Sequence, residues 1–550
     1  MRTLAQAAPR GNDRGRMDVE RSPSVSVPEA QSTSKLLPLL LSMAMFVLVV
    51  DTSLMNVSIS SVVRDLDTTV SGVQSAIALE ALVSAAFILI SSKIGDLFGR
   101  KRAYVLGLLG YAVGAIAMTL AQNLLAIIIF WAIIGGIGAS LLLPAMQSLI
   151  HGNFDGAAQK RVYALVGAAA SIAAAVGPLL GGFITTYLSW RVAFALEAVV
   201  IAIVLSGIRL VRDVPYTGPR HIDLVGAALS VVGMGGVVLG ILVWQEGGEA
   251  VGALLVLGTA ALASLVWWLR RRKSRGQTPL IDPDLFASKP FRLGISGQAL
   301  QQIALGGMMI AIPIYLQMVL EYDALQAGLS LAPLSLTMFA AALLAGRKAA
   351  DRRPASIIAV GFALVVSGLI ILLPIVPRAH SGWALVVPLT IAGCGLGLLV
   401  SQLNNYTLSP ISEERVSEAA GVNSAGGSFG LSFGLAFAGA IMLATLSVTF
   451  TKMADASAVL PPADKQHVAN VLEDDAQIMS NTQLAELVAD EPPDVRAEIL
   501  RINTDARHRS LQVALLIPML AGLLGLFDAL RMRRLPDPAP SAAIEGVALG

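Results

Sequence analysis

Three carboxylic acids stand inside apolar runs: Asp51 in "FVLVVDTSLMNVSI", Glu80 in "AIALEALV" and Glu197 in "AFALEAVV". Taking a carboxylate into hydrocarbon costs roughly 2.5 kcal/mol or more, so each acid needs a physical reason to be there. Three chemistries fit. An acid in a low-dielectric layer can load and release a proton. An ionised acid draws a cationic solute towards it. A protonated acid can hydrogen-bond between helices and do nothing more. No Lys or Arg falls at the same depth to neutralise them, and no comparable charge stands at mid-depth in the C-terminal half. Three acids grouped in one half weigh against a purely structural role for all of them.

A second polar group is uncharged. Gln298, Gln301 and Gln302 fall on one helix face at spacing i, i+3, i+4 and are candidates to line a cavity. Other chemistries find no support. The five histidines lie in polar connections without metal-ligand spacing, and the single cysteine, Cys394, reads as a packed small residue. "GCGLG" at 393–397 lies inside an apolar run with no strand before it, so it is no nucleotide loop. There is no G-x-x-x-x-G-K-[ST], no H-E-x-x-H and no G-x-S-x-G. Neither an enzyme activity nor a cofactor is expected.

The elements that must hold these groups follow from composition. The chain has 550 residues, 55% hydrophobic and 14% charged, against about 25% charged in an ordinary soluble domain. It reads as an all-α polytopic membrane protein. Fourteen stretches reach the roughly 20 apolar residues that a span needs, the first at 36–62 and the last at 509–532. The 51 glycines suit helices packed closely in lipid. With both ends in the cytoplasm, "GRKRA", "QKR", "RRRKSR", "GRKAADRR" and "RMRRL" all fall inside. "GDLFGRKRAYVLG" has a degenerate echo in "ADRRPASIIAVG", which suggests duplicated halves. The expected order is therefore 6+2+6. It has a six-helix half at 36–211, two inserted helices at 222–270, and a second half at 291–532. Residues 1–35 and 533–550 read as cytoplasmic tails, the first disordered and starting at Met1 or Met17. Residues 449–508 read as an external loop, with short amphipathic helices in "DKQHVANVLEDDAQI" and "DVRAEILRINTDARHR".

"GDLFGRKRA" resembles the signature loop between helices 2 and 3 of the major facilitator superfamily, at Gly95, Asp96, Gly99, Arg100 and Lys101. "GAAASIAAAVGPLLGG" resembles the antiporter motif of that family's exporters, at Gly167, Gly177, Pro178, Gly181 and Gly182. "VVDTSLMNVSI" resembles helix 1 of its fourteen-helix drug:proton antiporters, matching at Asp51, Thr52, Asn56 and Val57. The resemblance implies a monomeric exporter in the cell membrane, working by alternating access. Its partners would be a small amphipathic or cationic substrate, protons and lipid, with no nucleic acid, and the proton gradient as its energy source. Asp51, Glu80, Glu197 and Asn56 would serve coupling and substrate, and Asp96 with Arg100 would gate the cytoplasmic side. One departure matters. Where the family carries a helix-4 arginine linked to proton transfer, this chain has Ala132. That keeps two alternatives open: an exporter of a lipid or secreted metabolite without standard proton coupling, and a non-transporting sensor or scaffold.

Overall fold

Inside a bilayer the backbone has no water to bond, so each N–H and C=O must be satisfied within its own segment, and long apolar runs become helices. The computed structural model describes residues 36–154, 156–213, 223–245, 248–348, 353–411, 415–461, 465 and 481–536. Among these residues there is no strand, and fourteen helices are long and apolar enough to cross a membrane. The first six are α1 (Leu36–Val57), α2 (Val70–Phe98), α3 (Arg100–Leu120), α4 (Leu124–Ile150), α5 (Gly156–Tyr187) and α6 (Trp190–Ser206). Then come α7 (Leu224–Gln245) and α8 (Val251–Ser274). The last six are α9 (Lys289–Ile314), α10 (Ala324–Lys348), α11 (Pro354–Ile375), α12 (Val386–Leu408), α13 (Val416–Ala456) and α14 (Pro493–Met532). Side-chain caps fix several starts. Thr69, Asn123, Ser189 and Ser288 accept bonds from backbone N–H groups of α2, α4, α6 and α9.

The number of spans is the one the apolar stretches predict; the boundaries differ in two places. The first run, 36–62, is broken. α1 stops at Val57, and a short helix, Ile59–Leu66, follows beyond Ser58. At the other end of the chain, "DVRAEILRINTDARHR" is not a separate short helix but the opening of α14. Its Ile499, Ile502 and Ala506 share a small core with Leu446, Phe450 and Ala454 of α13. That apolar contact lets both helices continue past membrane length as one projecting pair. The other amphipathic segment, 464–478, lies outside the described residues except for Lys465, as do the 1–35 tail and residues 537–550.

Two sets of helices pack in the same way. α1 lies on α5 and α6, α2 on α4, and α3 on α4 and α6. Likewise α9 lies on α13 and α14, α10 on α12, and α11 on α12 and α14. The sets meet where α2 packs on α13 and where α5 packs on α10. α7 lies on α8, α2 and α13.

One end of the bundle is closed by contacts between the sets. Gln317, just after α9, donates to Asn56 O at 3.1 Å and accepts from Ser60 N–H at 2.9 Å. Thr186 Oγ1 accepts from Leu325 N–H at 3.0 Å. A Cβ at Gly182 would stand 2.4 Å from Ala324 O, and one at Gly328 2.2 Å from Pro178 O. Only glycine permits so close an approach of α5 to α10.

At the opposite end Asp223 joins α7 to α8 and to the link behind it. Its buried carboxylate accepts from Trp268 Nε1–H at 2.9 Å, Gly226 N–H at 2.9 Å and Leu280 N–H at 3.1 Å. Replacing it leaves three donors without their acceptor, at about 1–3 kcal/mol for a buried one. Asp223→Ala should therefore lower the thermal unfolding midpoint of the detergent-solubilised protein clearly, by about 3 kcal/mol in stability, and Asp223→Asn should lower it less.

Candidate functional site

The acids that the sequence scatters over 147 positions come together inside the first packing set. Asp51 on α1 is 1% exposed, Glu197 on α6 is 4% exposed and Glu80 on α2 is 9% exposed, so all three are out of bulk water. All three stand near the phenol of Tyr111 on α3, and Glu80 and Glu197 both stand near Asp51. Among the described residues no basic side chain contributes to the electrostatics of any of the three.

Their partners differ sharply. Asp51 accepts two hydrogen bonds from neutral donors, one from the Tyr111 hydroxyl and one from Trp131 Nε1–H at 2.9 Å. Both oxygens of Glu197 are buried without a hydrogen-bond partner among the described residues. A carboxylate with two converging donors is suited to carry charge, whereas a buried one with none is costly to ionise. Aromatic rings line the same region. Trp131 and Phe194 meet edge to face at 6.4 Å, and Phe194 and Trp190 at 6.2 Å. Ring faces beside acids suit a cationic or amphipathic guest.

The local backbone explains the Trp131 contact. Ile127–Gly135 of α4 is π-helical, a wider turn often found at functional sites. Trp131 reaches Asp51 from this turn, while the neighbouring Ala132 is fully buried. The position where an arginine was expected is thus flanked by a neutral donor. The sequence reading missed both Trp131 and Tyr111. A usable signal was present: each is a polar-tipped aromatic in a long apolar run, and Trp131 adjoins the departure at Ala132.

Residues expected from motifs divide into groups. Gly177 and Gly181 of α5 sit against α1 immediately beyond Asp51. A Cβ at Gly177 would meet Ser53 Cβ at 2.6 Å, and one at Gly181 would meet Leu54 Cα at 3.0 Å. The small residues therefore seat the helix that carries Asp51. Gly182 and Pro178 face α10 instead, and a Cβ at Gly167 would meet nothing within 4 Å. Asn56 stands five residues beyond Asp51 on α1. Its Nδ2 donates to Thr52 O at 2.8 Å, and its backbone carbonyl belongs to the closed end. Gln298 and Gln302 lie against Gly427 of α13, while Gln301 is buried with its amide oxygen unpaired among the described residues.

In the signature loop, Gly99 has φ +102°, a conformation that favours glycine, and caps α2 through its N–H to Gly95 O at 3.1 Å. Lys101 ties the loop to the segment after α6. Its N–H donates to Asp213 Oδ1 at 3.0 Å and its Nζ to Val211 O at 2.7 Å. Arg100 opens α3. The side chain of Asp96 lies outside the described residues, so the expected Asp96–Arg100 gate is an expectation still.

This arrangement has relatives. The chain is 28% identical to Multidrug resistance protein Stp of Mycobacterium tuberculosis, over 79% of this chain and 80% of that one. It is 29% identical to Puromycin resistance protein pur8 of Streptomyces alboniger, over 70% and 78% of the two chains. A bacterial homolog of the human lysosomal transporter Spinster, solved inward-facing and unoccupied, superposes with a TM-score of 0.60 at 12% identity. The match covers 93% of this chain and all of that one. A match to the Major Facilitator Superfamily spans residues 41–435, and the chain belongs to that superfamily of multi-pass membrane transporters for small molecules.

Proposed function

We propose that this protein is a proton-coupled exporter of small amphipathic or cationic compounds in the cell membrane. The observation that carries the reading is the unequal pair of buried acids, Asp51 held by two donors and Glu197 by none. Asp51 is the standing anion that recognises a cationic substrate, with Trp131 and Phe194 beside it. Glu197 is the acid that carries the exchanged proton, and Glu80 is the third member of the cluster. When the proton leaves, an uncompensated negative charge remains in a dry site. An arriving cation restores neutrality, and exchange of one for the other is antiport. Relatives named for multidrug and puromycin resistance support drug-like cargo.

The matched packing of α1–α6 and α9–α14 supports two six-helix halves, 36–211 and 291–532, with 222–270 inserted between them. The basic connections support cytoplasmic termini. On that orientation the closed end at Gln317, Asn56, Thr186 and Leu325 faces outside, and rocking of the halves about α2–α13 and α5–α10 would open it. We take the working unit to be one chain. Export without proton coupling is the second reading, and Ala132 is the feature that favours it.

The test uses the purified protein in vesicles with an imposed proton gradient, a panel of lipophilic cations, and a record of substrate-dependent proton movement. The intact protein should move protons when substrate is added. Glu197→Gln should abolish that movement yet still bind cations, and Asp51→Asn should lose cation binding as well. Cation transport with no proton movement in the intact protein would establish the second reading instead. Trp131→Phe and Tyr111→Phe each remove one donor to a charged acceptor, about 1.5–3 kcal/mol. Each should weaken cation binding roughly tenfold or more, measured by equilibrium titration. Unchanged affinity in both would sink the assigned role of Asp51.

A further inference from the structure

The transport site uses none of the basic groups gathered where α8, α9 and α14 end on one face of the bundle. Two adjoining hollows lie there, of about 560 and 510 Å³. Arg270 and Lys273 line the first, Lys289 and Arg531 the second, and Arg292 lines both. Among the described residues two acids line the hollows, and Lys273, the partner of one, is shared with Asp282. Asp284 pairs with Lys273, and Asp528 accepts from the Ser296 hydroxyl at 2.6 Å. The groove as a whole is cationic.

Exposed apolar side chains lie beside it on α8 and α14. α8 packs on α7 and on the turn Pro283–Ala287, and Val256, Leu257, Val266 and Trp267 along it are exposed. Trp267 is 56% exposed and carries the Arg271 guanidinium 4.8 Å from its ring. On α14, Phe527 is 58% exposed and carries Arg531 at 5.2 Å. Phe286 lines the first hollow. Charges at the helix ends with bare aromatic rings one turn deeper form a two-part surface. A free phosphate would use the first part alone. A molecule with an anionic head and apolar chains uses both.

We propose that this groove is a binding site for an anionic phospholipid. Its phosphate sits among Lys289, Arg292 and Arg270, and its acyl chains lie along Trp267, Phe286 and Phe527. The site is separate from the acid cluster, so it stands or falls independently of the transport reading. Bound there, a lipid adds a bridge between the inserted pair α7–α8 and helices α9 and α14, beside the core that Ala227, Leu265 and Leu269 share with Phe291.

The experiment is native mass spectrometry of the full-length protein in detergent, titrated with phosphatidylglycerol or, separately, phosphatidylcholine. Phosphatidylglycerol should remain as a discrete adduct at concentrations where phosphatidylcholine does not. The double variant Lys289→Gln/Arg292→Gln should bind it about tenfold more weakly. Lys289→Arg/Arg292→Lys should restore binding, which separates loss of charge from loss of fold. Equal retention of both lipids, or unchanged binding by the double glutamine variant, would overturn the proposal. So would displacement of the adduct by millimolar inorganic phosphate, since the site would then be one for the free anion.

Discussion

Everything in the first half of this bundle is arranged around keeping one carboxylate in a place where charge is expensive. Asp51 is almost fully buried, with no cation among the described residues to neutralise it. What makes it tolerable is a pair of neutral donors, Tyr111 from α3 and Trp131 from α4. The arrangement rests on two further features. Trp131 needs the π-helical turn of Ile127–Gly135, and α1 needs Gly177 and Gly181 to let α5 come close enough to seat it. Both donors of this clamp are neutral, where an arginine would have brought a positive charge.

The closed end follows the same economy of polar contacts. Few side chains cross between the two packing sets there, and those that do bond to backbone. Gln317 bridges Asn56 and Ser60, and Thr186 takes Leu325 N–H. The rest is glycine allowing backbone to meet backbone. Contacts of this kind are individually weak and easily exchanged for others. The projecting pair formed by α13 and α14 reaches the same place. Arg507 of α14 donates to Met318 O at 2.8 Å, and Asn481, which lies between the two helices in the chain, donates to Val319 O at 3.2 Å.

Much was legible in the amino-acid order. Helices in lipid must satisfy their own backbone, so hydrophobic length alone gives the class of fold and the number of spans. The anomaly of an acid in an apolar run marks Asp51, Glu80 and Glu197 without any knowledge of their neighbours, because the cost of burial is local. Glycine spacing marks α5 as a close-packing helix for the same reason.

What the order of residues left open was everything that depends on a partner distant in the chain. Tyr111 and Trp131 lie 60 and 80 positions from Asp51, and nothing in their own surroundings says that they point at it. Asn56 shares a motif with Asp51, yet its side-chain amide bonds the Thr52 carbonyl of its own helix. Gln298 and Gln302 share a face with each other, and Gly427 of α13, distant in the chain, is the residue they lie against. The length of α14 escaped hydropathy because its first turns are covered by α13 rather than by lipid. In each case the sequence settles what a residue costs where it stands. Only the packed structure decides which other group meets that cost, because hydrogen bonds and close contacts act over a few ångströms in space, whatever the separation along the chain.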